Sequence, residues 1–139
     1  MNRLELEHIL GRYPVTVCAA DQITIKKGQF VIANTDNSSG KGKHWVAFYF
    51  NAYGPDDYFD SLGKLPEYYG FQHVLQRRYW MNCDQIQDSK SDVCGLYCVY
   101  YVVNRYAGKT MKDMVEPFDI NKRTMNDKCV VDFVNKNKS

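Results

Sequence analysis

The chain has 139 residues, of which 45% are hydrophobic and 24% are charged, and its formal net charge is +2. These values are ordinary for one folded domain, which we expect to span residues 1–139. The net charge is too small to argue for a nucleic-acid partner. No run approaches the ~20 apolar residues that cross a membrane, and the N-terminus lacks the apolar stretch of a signal peptide. We therefore expect no membrane partner and a protein kept inside a cell.

The five cysteines are odd in number and scattered, which does not indicate a disulfide framework and favours a reducing compartment. Cys94 and Cys98 have no second pair of ligands at a usable spacing, and His44 and His73 are isolated. We expect no metal site and no cofactor.

In the first half of the chain, the pattern predicts one short helix and two buried strands. Residues 4–10 have the periodicity of a helix that Gly11 ends. Residues 30–33 form an apolar run typical of a buried strand, and residues 34–43 are dense in turn formers. Residues 44–50 are apolar on both faces, as expected of a central strand.

The second half of the chain combines short strands with helices. We predict strands at 58–60 and 82–87, and helices at 66–78, 110–115 and 124–134. Together with the first half, this order predicts an α+β fold with a central mixed or antiparallel sheet.

The most informative stretch runs from Gln87 to Gly108 and changes from polar to apolar. Ser91 is a good N-cap, Asp92 suits the first helical turn, and Gly108 is placed to end the helix. Cys94 then lies in the first turn, where unpaired backbone N–H groups and the helix dipole lower a thiol pKa from about 8.5. The same N–H groups can receive an oxyanion. A structural interpretation stays open, because a cysteine that opens an apolar helix usually packs in the core.

His44 begins one predicted strand and Asp60 ends the next. If the two strands form a hairpin with a turn centred near Ala52, His44 lies directly opposite Asp60. Directly opposed residues share a sheet face, with Cβ atoms about 5 Å apart. A carboxylate can then hold one imidazole nitrogen while the other accepts the proton of Cys94. Purely structural roles remain open, since a histidine at a strand end and an aspartate before a turn are common.

Together these residues resemble a known family. The chain order His, Asp, Gln, Cys, with His44-Trp45 and with Gln87 seven positions before Cys94-Gly95, is similar to the adenovirus maturation protease, adenain. It resembles the SUMO-specific proteases more distantly. Related proteases occur in viruses, virophages and virus-like transposons. The resemblance spans roughly residues 25–107 and implies a papain-like fold whose buried central helix carries the cysteine.

The resemblance implies catalytic roles for four residues. Cys94 would be the nucleophile, His44 the general base and later the acid, and Asp60 its orienting partner. Gln87 would donate to the oxyanion beside the Cys94 backbone N–H, with Gln85 as the competing candidate. Loss of one such donor typically costs about 3–4 kcal/mol of transition-state stabilisation.

Trp45 and Gly95 are the predicted substrate-binding residues. Trp45 would cover the catalytic imidazole, although a strand tryptophan can equally belong to the core. Gly95 has no side chain, so a substrate backbone could come close to the helix end.

Three features depart from adenain. Asp60 stands where adenain has glutamate, a change that the SUMO-specific branch shares. Adenain is activated by DNA and by a viral peptide joined through a cysteine; Cys83 lies in the comparable region at a different spacing from Gln87, so the sequence supports neither partner. The chain is also shorter than adenain after the central helix.

The function implied by the resemblance is a cysteine endopeptidase that cleaves next to glycine and processes viral precursor proteins during virion maturation. It would act as a monomer on polypeptides in the host cytoplasm or nucleus, or in the virion. The competing enzyme hypothesis is an isopeptidase or processing protease for ubiquitin-like modifiers, whose Gly-Gly tails fit the same kind of cleft. The non-enzymatic alternative is a binding module that keeps the fold with inert residues.

Overall fold

A five-stranded mixed sheet forms the centre of the chain in the computed structural model, which describes residues 1–40, 42–75 and 78–138. Its strands are β1 (Val15–Cys18), β2 (Phe30–Asn34), β3 (Trp45–Tyr49), β4 (Asp56–Phe59) and β5 (Tyr79–Met81). They lie side by side in chain order, with the two outer pairs parallel and the two inner pairs antiparallel. The predicted α+β class with a mixed sheet is confirmed, whereas its assignment to the papain-like family stays a prediction.

The described residues also form four α-helices: α1 (Arg3–Ile9), α2 (Cys94–Tyr106), α3 (Met111–Val115) and α4 (Arg123–Asn137). A capping box between Asn2 and Glu5 begins α1, and Thr110 with Asp113 does the same for α3. The helices predicted near Leu4, Thr110 and Thr124 are therefore confirmed. Within the described ranges, no helix combines the length and apolar character needed to cross a membrane.

Hydrophobic clusters cover both faces of the sheet. Successive strand residues point to opposite faces, so Ala47 packs toward the helices and Phe48 toward the other side. On the helical side, Tyr97 and Tyr101 of α2 are fully buried. On the far side, Phe48 meets Phe71 edge to face, with ring centroids 5.5 Å apart. Burial on both faces fixes β3, and with it the position of the residue that precedes it, His44.

Two predicted elements are wrong. The helix predicted at 66–78 is only a 3₁₀ turn at Pro66–Tyr69, because Gly70 takes a left-handed φ of +81° and Phe71 turns into the core. Residues 76 and 77 of that prediction lie outside the described residues. Residues 82–87, predicted as a strand, are irregular. The strand in this region is β5, which ends at Met81, and Cys83 has a φ of +62°.

Helix α2 begins at Cys94, two residues later than a Ser91 cap would place the boundary. Its N-cap is Val93, which provides no side-chain hydrogen bond, so the predicted capping role of Ser91 is wrong. The C-terminal end is as predicted: Gly108 has a φ of +99°, its N–H bonds the carbonyl of Arg105, and Lys109 N–H bonds that of Asn104. This is the Schellman arrangement that glycine favours.

Candidate active site

His44 and Asp60 meet at the ends of β3 and β4. The nitrogen Nε2 of His44 donates to Oδ1 of Asp60 over 2.6 Å, and both residues are buried. The predicted register is wrong by two residues, since Ala47 pairs with Phe59 and Tyr49 with Asp57. The pleat has a period of two, so this shift leaves His44 and Asp60 on one face as diagonal neighbours. The predicted contact therefore forms in a different register.

Asp60 is fully buried and its carboxylate accepts four hydrogen bonds. Oδ1 accepts from His44 and from the backbone N–H of Leu62, and Oδ2 accepts from the N–H of Lys64 and the hydroxyl of Tyr69. The four donors therefore hold the carboxylate in a fixed orientation toward the imidazole.

Cys94 and His44 shift each other's pKa in opposite directions. Burial opposes the charged imidazole, but the hydrogen bonds with Asp60 and Cys94 outweigh it and raise the pKa of His44 from 6.5 to about 9. Burial would likewise raise the pKa of Cys94, yet the hydrogen bond with His44 outweighs it and lowers the pKa, with smaller contributions from the N–H groups of Trp45 and Gly95. Both shifts favour a thiolate–imidazolium pair.

Gln87 is buried beside this pair, in an irregular loop. Its Oε1 accepts from the Ser61 hydroxyl, and its Nε2 lies 3.1 Å from the carbonyl oxygen and 3.2 Å from the hydroxyl oxygen of Ser91. Gln85, the competing candidate, uses its amide on the Gln87 carbonyl and the Ser89 hydroxyl. Between the two, Gln87 is the residue that lines the same cleft as Cys94.

A cleft of about 270 Å³ brings the predicted residues together. His44, Trp45, Gln87 and Cys94 line it, with Leu62 on one wall. Asp60 lies behind His44 and does not line the cleft. This places a thiol, an imidazole and a side-chain amide around one opening, with the Asp60 carboxylate outside it.

Trp45 lines the cleft and also packs in the cluster under α2, and its predicted position over the catalytic imidazole stays a prediction. Its indole N–H donates to the Met1 carbonyl over 2.9 Å. Gly95 does not line the cleft: a Cβ there would lie 3.3 Å from Met1 Cβ and 3.4 Å from the Trp45 ring. The small size of Gly95 thus accommodates Met1 and Trp45, and its substrate-binding role stays a prediction.

No family model and no curated protein matches the sequence. Among solved structures, the chain is similar to the selenomethionine crystal structure of the ASFV pS273R protease. The match has a TM-score of 0.47 and 23% sequence identity, and it covers 73% of this chain and 43% of that chain. The chain therefore corresponds to less than half of that protease's length. Similarity at this level does not establish a shared activity, and the family resemblance stays a prediction.

Three residues that sequence reasoning missed hold the site in place. Tyr69 donates to Asp60 Oδ2 over 2.7 Å, and its ring lies 5.7 Å from the His44 ring, centroid to centroid. Asn82 bonds both the N–H and the carbonyl of Asp60. Ser61 bonds Gln87. Only Ser61 carried a signal in the sequence, its position directly after Asp60; the other two contacts depend on tertiary folding.

Proposed function

We propose that this protein is a cysteine endopeptidase that hydrolyses amide bonds through an acyl-enzyme. The observation that carries the proposal is the position of His44: Asp60 holds its Nε2, it lines one cleft with Cys94, and its proximity lowers the pKa of that thiol. The nucleophile opens a helix, so first-turn N–H groups without intrahelical partners lie beside it.

The residues support the following steps. The Cys94 thiolate attacks the scissile carbonyl carbon, and the carbonyl electron pair moves to oxygen, where the Gln87 amide and the Cys94 N–H stabilise the charge. The C–N bond then breaks as His44 gives its proton to the leaving amine. His44 next removes a proton from water, which attacks the thioester and releases the acid and Cys94. Asp60 keeps the imidazole oriented throughout.

The proposed substrates are polypeptides with glycine beside the cleaved bond. The large side chains of Trp45 and Leu62 line the cleft, which supports a preference for residues without bulky side chains. By family resemblance we propose processing of viral precursor proteins during virion maturation, inside the host cell or the virion. The second candidate is an isopeptidase for ubiquitin-like modifiers, because a Gly-Gly tail has the same small side chains.

Covalent labelling tests the catalytic assignment. An aldehyde or vinyl-sulfone probe that ends in glycine should modify Cys94, and His44→Ala should suppress the reaction because the thiol loses the partner that lowers its pKa. Cys94→Ser controls for the site of attachment. Labelling that ignores His44, or that occurs at another cysteine, would favour the inert binding module.

A side-by-side substrate assay separates the two enzyme candidates. A peptide library with glycine at the cleavage position is compared with a ubiquitin-like conjugate at matched enzyme concentration. Efficient library cleavage with an intact conjugate supports the endopeptidase, whereas faster release of the modifier would replace it with the isopeptidase.

A further inference from the structure

The amide of Gln87 has only one orientation that satisfies its neighbours. Nε2 lies 3.1 Å from the carbonyl oxygen of Ser91, which can only accept a hydrogen bond. The nitrogen must therefore face Ser91, and Oε1 must face Ser61. It follows that the Ser61 hydroxyl is the donor in its contact with Gln87 Oε1.

Ser61 contacts Gln87 through its backbone as well. Its carbonyl accepts the N–H of Ile86 over 2.9 Å and that of Gln87 over 3.0 Å. Ser61 is 1% exposed and Gln87 is 2% exposed, so water cannot replace these bonds. Asp60 and Ser61 are consecutive in the chain. Asp60 holds the His44 imidazole, and Ser61 holds the Gln87 amide.

The backbone around Gln87 has further supports that do not use the Ser61 hydroxyl. The Ile86 carbonyl accepts from the hydroxyl of Tyr97 and from the side-chain amide of Asn126. On the other side, Asp88 N–H donates to the carboxylate of Asp127 over 3.3 Å. Loss of the Ser61 hydroxyl alone should therefore leave the loop in place and free only the side-chain amide to rotate.

We infer that Ser61 is a positioning residue for the proposed reaction: its hydroxyl holds the Gln87 amide with the nitrogen directed to the oxyanion. This inference rests on the proposed function. The substrate-free amide nitrogen also contacts the Ser91 hydroxyl, whose own proton goes to the Asp88 carbonyl. That longer contact is the one a developing oxyanion replaces.

The test compares Ser61→Ala with Ser91→Ala, two identical changes at opposite ends of one amide. Two readouts are used: binding of a glycine-terminated peptide aldehyde, which forms an oxyanion when the Cys94 thiolate adds to its carbonyl, and alkylation of Cys94 by iodoacetamide, which forms none. Ser61→Ala should weaken aldehyde binding and lower kcat/KM about 10-fold or more, up to the roughly 10²–10³-fold typical for loss of the oxyanion donor itself. Its alkylation rate should stay within about twofold of the parent, whereas Ser91→Ala should keep aldehyde binding.

A double-mutant cycle shows whether Ser61 acts through Gln87. In a Gln87→Ala background, Ser61→Ala should have no further effect, because the amide that it positions is absent. An unchanged Ser61→Ala enzyme, additive losses, or a parallel fall in alkylation would overturn the inference. If the parent protein neither binds the aldehyde nor cleaves peptides, the proposed function fails instead.

Discussion

Two buried aspartates, Asp57 and Asp60, have almost the same kinds of hydrogen-bond partner but contribute differently to the molecule. Asp57 accepts from the hydroxyl of Tyr101 over 2.6 Å and from Nε of Arg105 over 2.7 Å. Asp60 accepts from the hydroxyl of Tyr69 over 2.7 Å and from Nε2 of His44 over 2.6 Å. Each site is therefore one carboxylate, one phenol and one basic side chain.

The difference lies in the base and in what lies beyond it. Arg105 keeps its proton, and its guanidinium also lies over the Tyr49 ring, 5.3 Å from the centroid, so this pair fastens α2 to the sheet. His44 can release its proton, and its other neighbour is Cys94. The comparison teaches that a buried carboxylate indicates chemistry only when its partner can exchange a proton with a third group.

The largest expected effect is on activity, from Asp60→Asn. Without the carboxylate the pKa of His44 falls from about 9 and that of Cys94 rises, so fewer molecules contain the thiolate–imidazolium pair. We expect kcat/KM to fall about 10²–10⁴-fold. The alkaline limb of the pH profile, near pH 9 in the parent, should move to lower pH.

Asp57→Asn is the matched control for this change, since the same substitution then acts on the arginine site. Asp57→Asn should leave both the turnover and the pH profile unchanged from those of the parent. If Asp57→Asn shifts the alkaline limb as much as Asp60→Asn does, the two sites are not functionally different.

The next effect is on stability, from Arg105→Ala. This change leaves the Asp57 carboxylate, 1% exposed, without its counter-ion. Breaking a buried pair costs about 3–5 kcal/mol, and the partial exposure of Arg105 places our expectation near 2–3 kcal/mol. Urea unfolding measures the loss, and kcat/KM in native buffer should stay within about twofold. Arg105→Lys, which keeps the charge, should lose less; equal losses would show that packing over Tyr49 dominates.

Sequence reasoning predicted which residues come together better than it predicted the geometry that brings them together. The contact between His44 and Asp60 was predicted, although the register was not. A register error of two residues keeps both side chains on one face of the sheet, whereas an error of one residue would place them on opposite faces. The turn that sets the register depends on side chains: Asp56 accepts from the N–H of Asn51, and Asn51 accepts from that of Tyr53. Such bonds are not visible as periodicity.

The remaining misses come from long-range contacts. Ser61 and Gln87 are 26 positions apart, and their hydrogen bond forms only because Gly63, with a φ of +71°, lets the turn pack against the backbone of Asp84 and Gln85. The sequence pattern predicts a helix that begins close to Cys94. It does not predict that the Gln87 amide takes the Ser91 hydroxyl as a hydrogen-bond partner. Local patterns locate elements, but they do not show which polar groups those elements share.

A third prediction concerns how stability depends on pH. A raised His44 pKa contributes stability that is complete below pH 6.5 and is lost as the pH rises through about 9. The lowered Cys94 pKa acts oppositely, because the unfolded thiol keeps its proton up to about its ordinary value of 9.0. In the parent the two effects oppose each other, since His44 retains a proton where Cys94 gives one up.

Cys94→Ala removes one side of this balance while leaving Asp60 to hold the imidazole. We expect the variant to lose about 1–2 kcal/mol of stability between pH 6.5 and 9, on a scale of about 1.4 kcal/mol per pKa unit. Urea unfolding over this pH range, for parent and variant, measures it. Parallel curves for the two proteins would contradict the coupling between His44 and Cys94.

The smallest effects come from the two phenols. Tyr69→Phe and Tyr101→Phe each delete one hydroxyl that donates to a buried carboxylate, and each should cost about 1–2 kcal/mol of stability. Only Tyr69→Phe should change activity, by a few-fold, because its hydroxyl shares the Asp60 carboxylate with His44. With one donor fewer, Asp60 should bond the imidazolium more strongly, so the alkaline limb should stay near pH 9 or move upward. A downward shift would mean that the Tyr69 ring beside His44, and not its hydroxyl, sets the environment of the base.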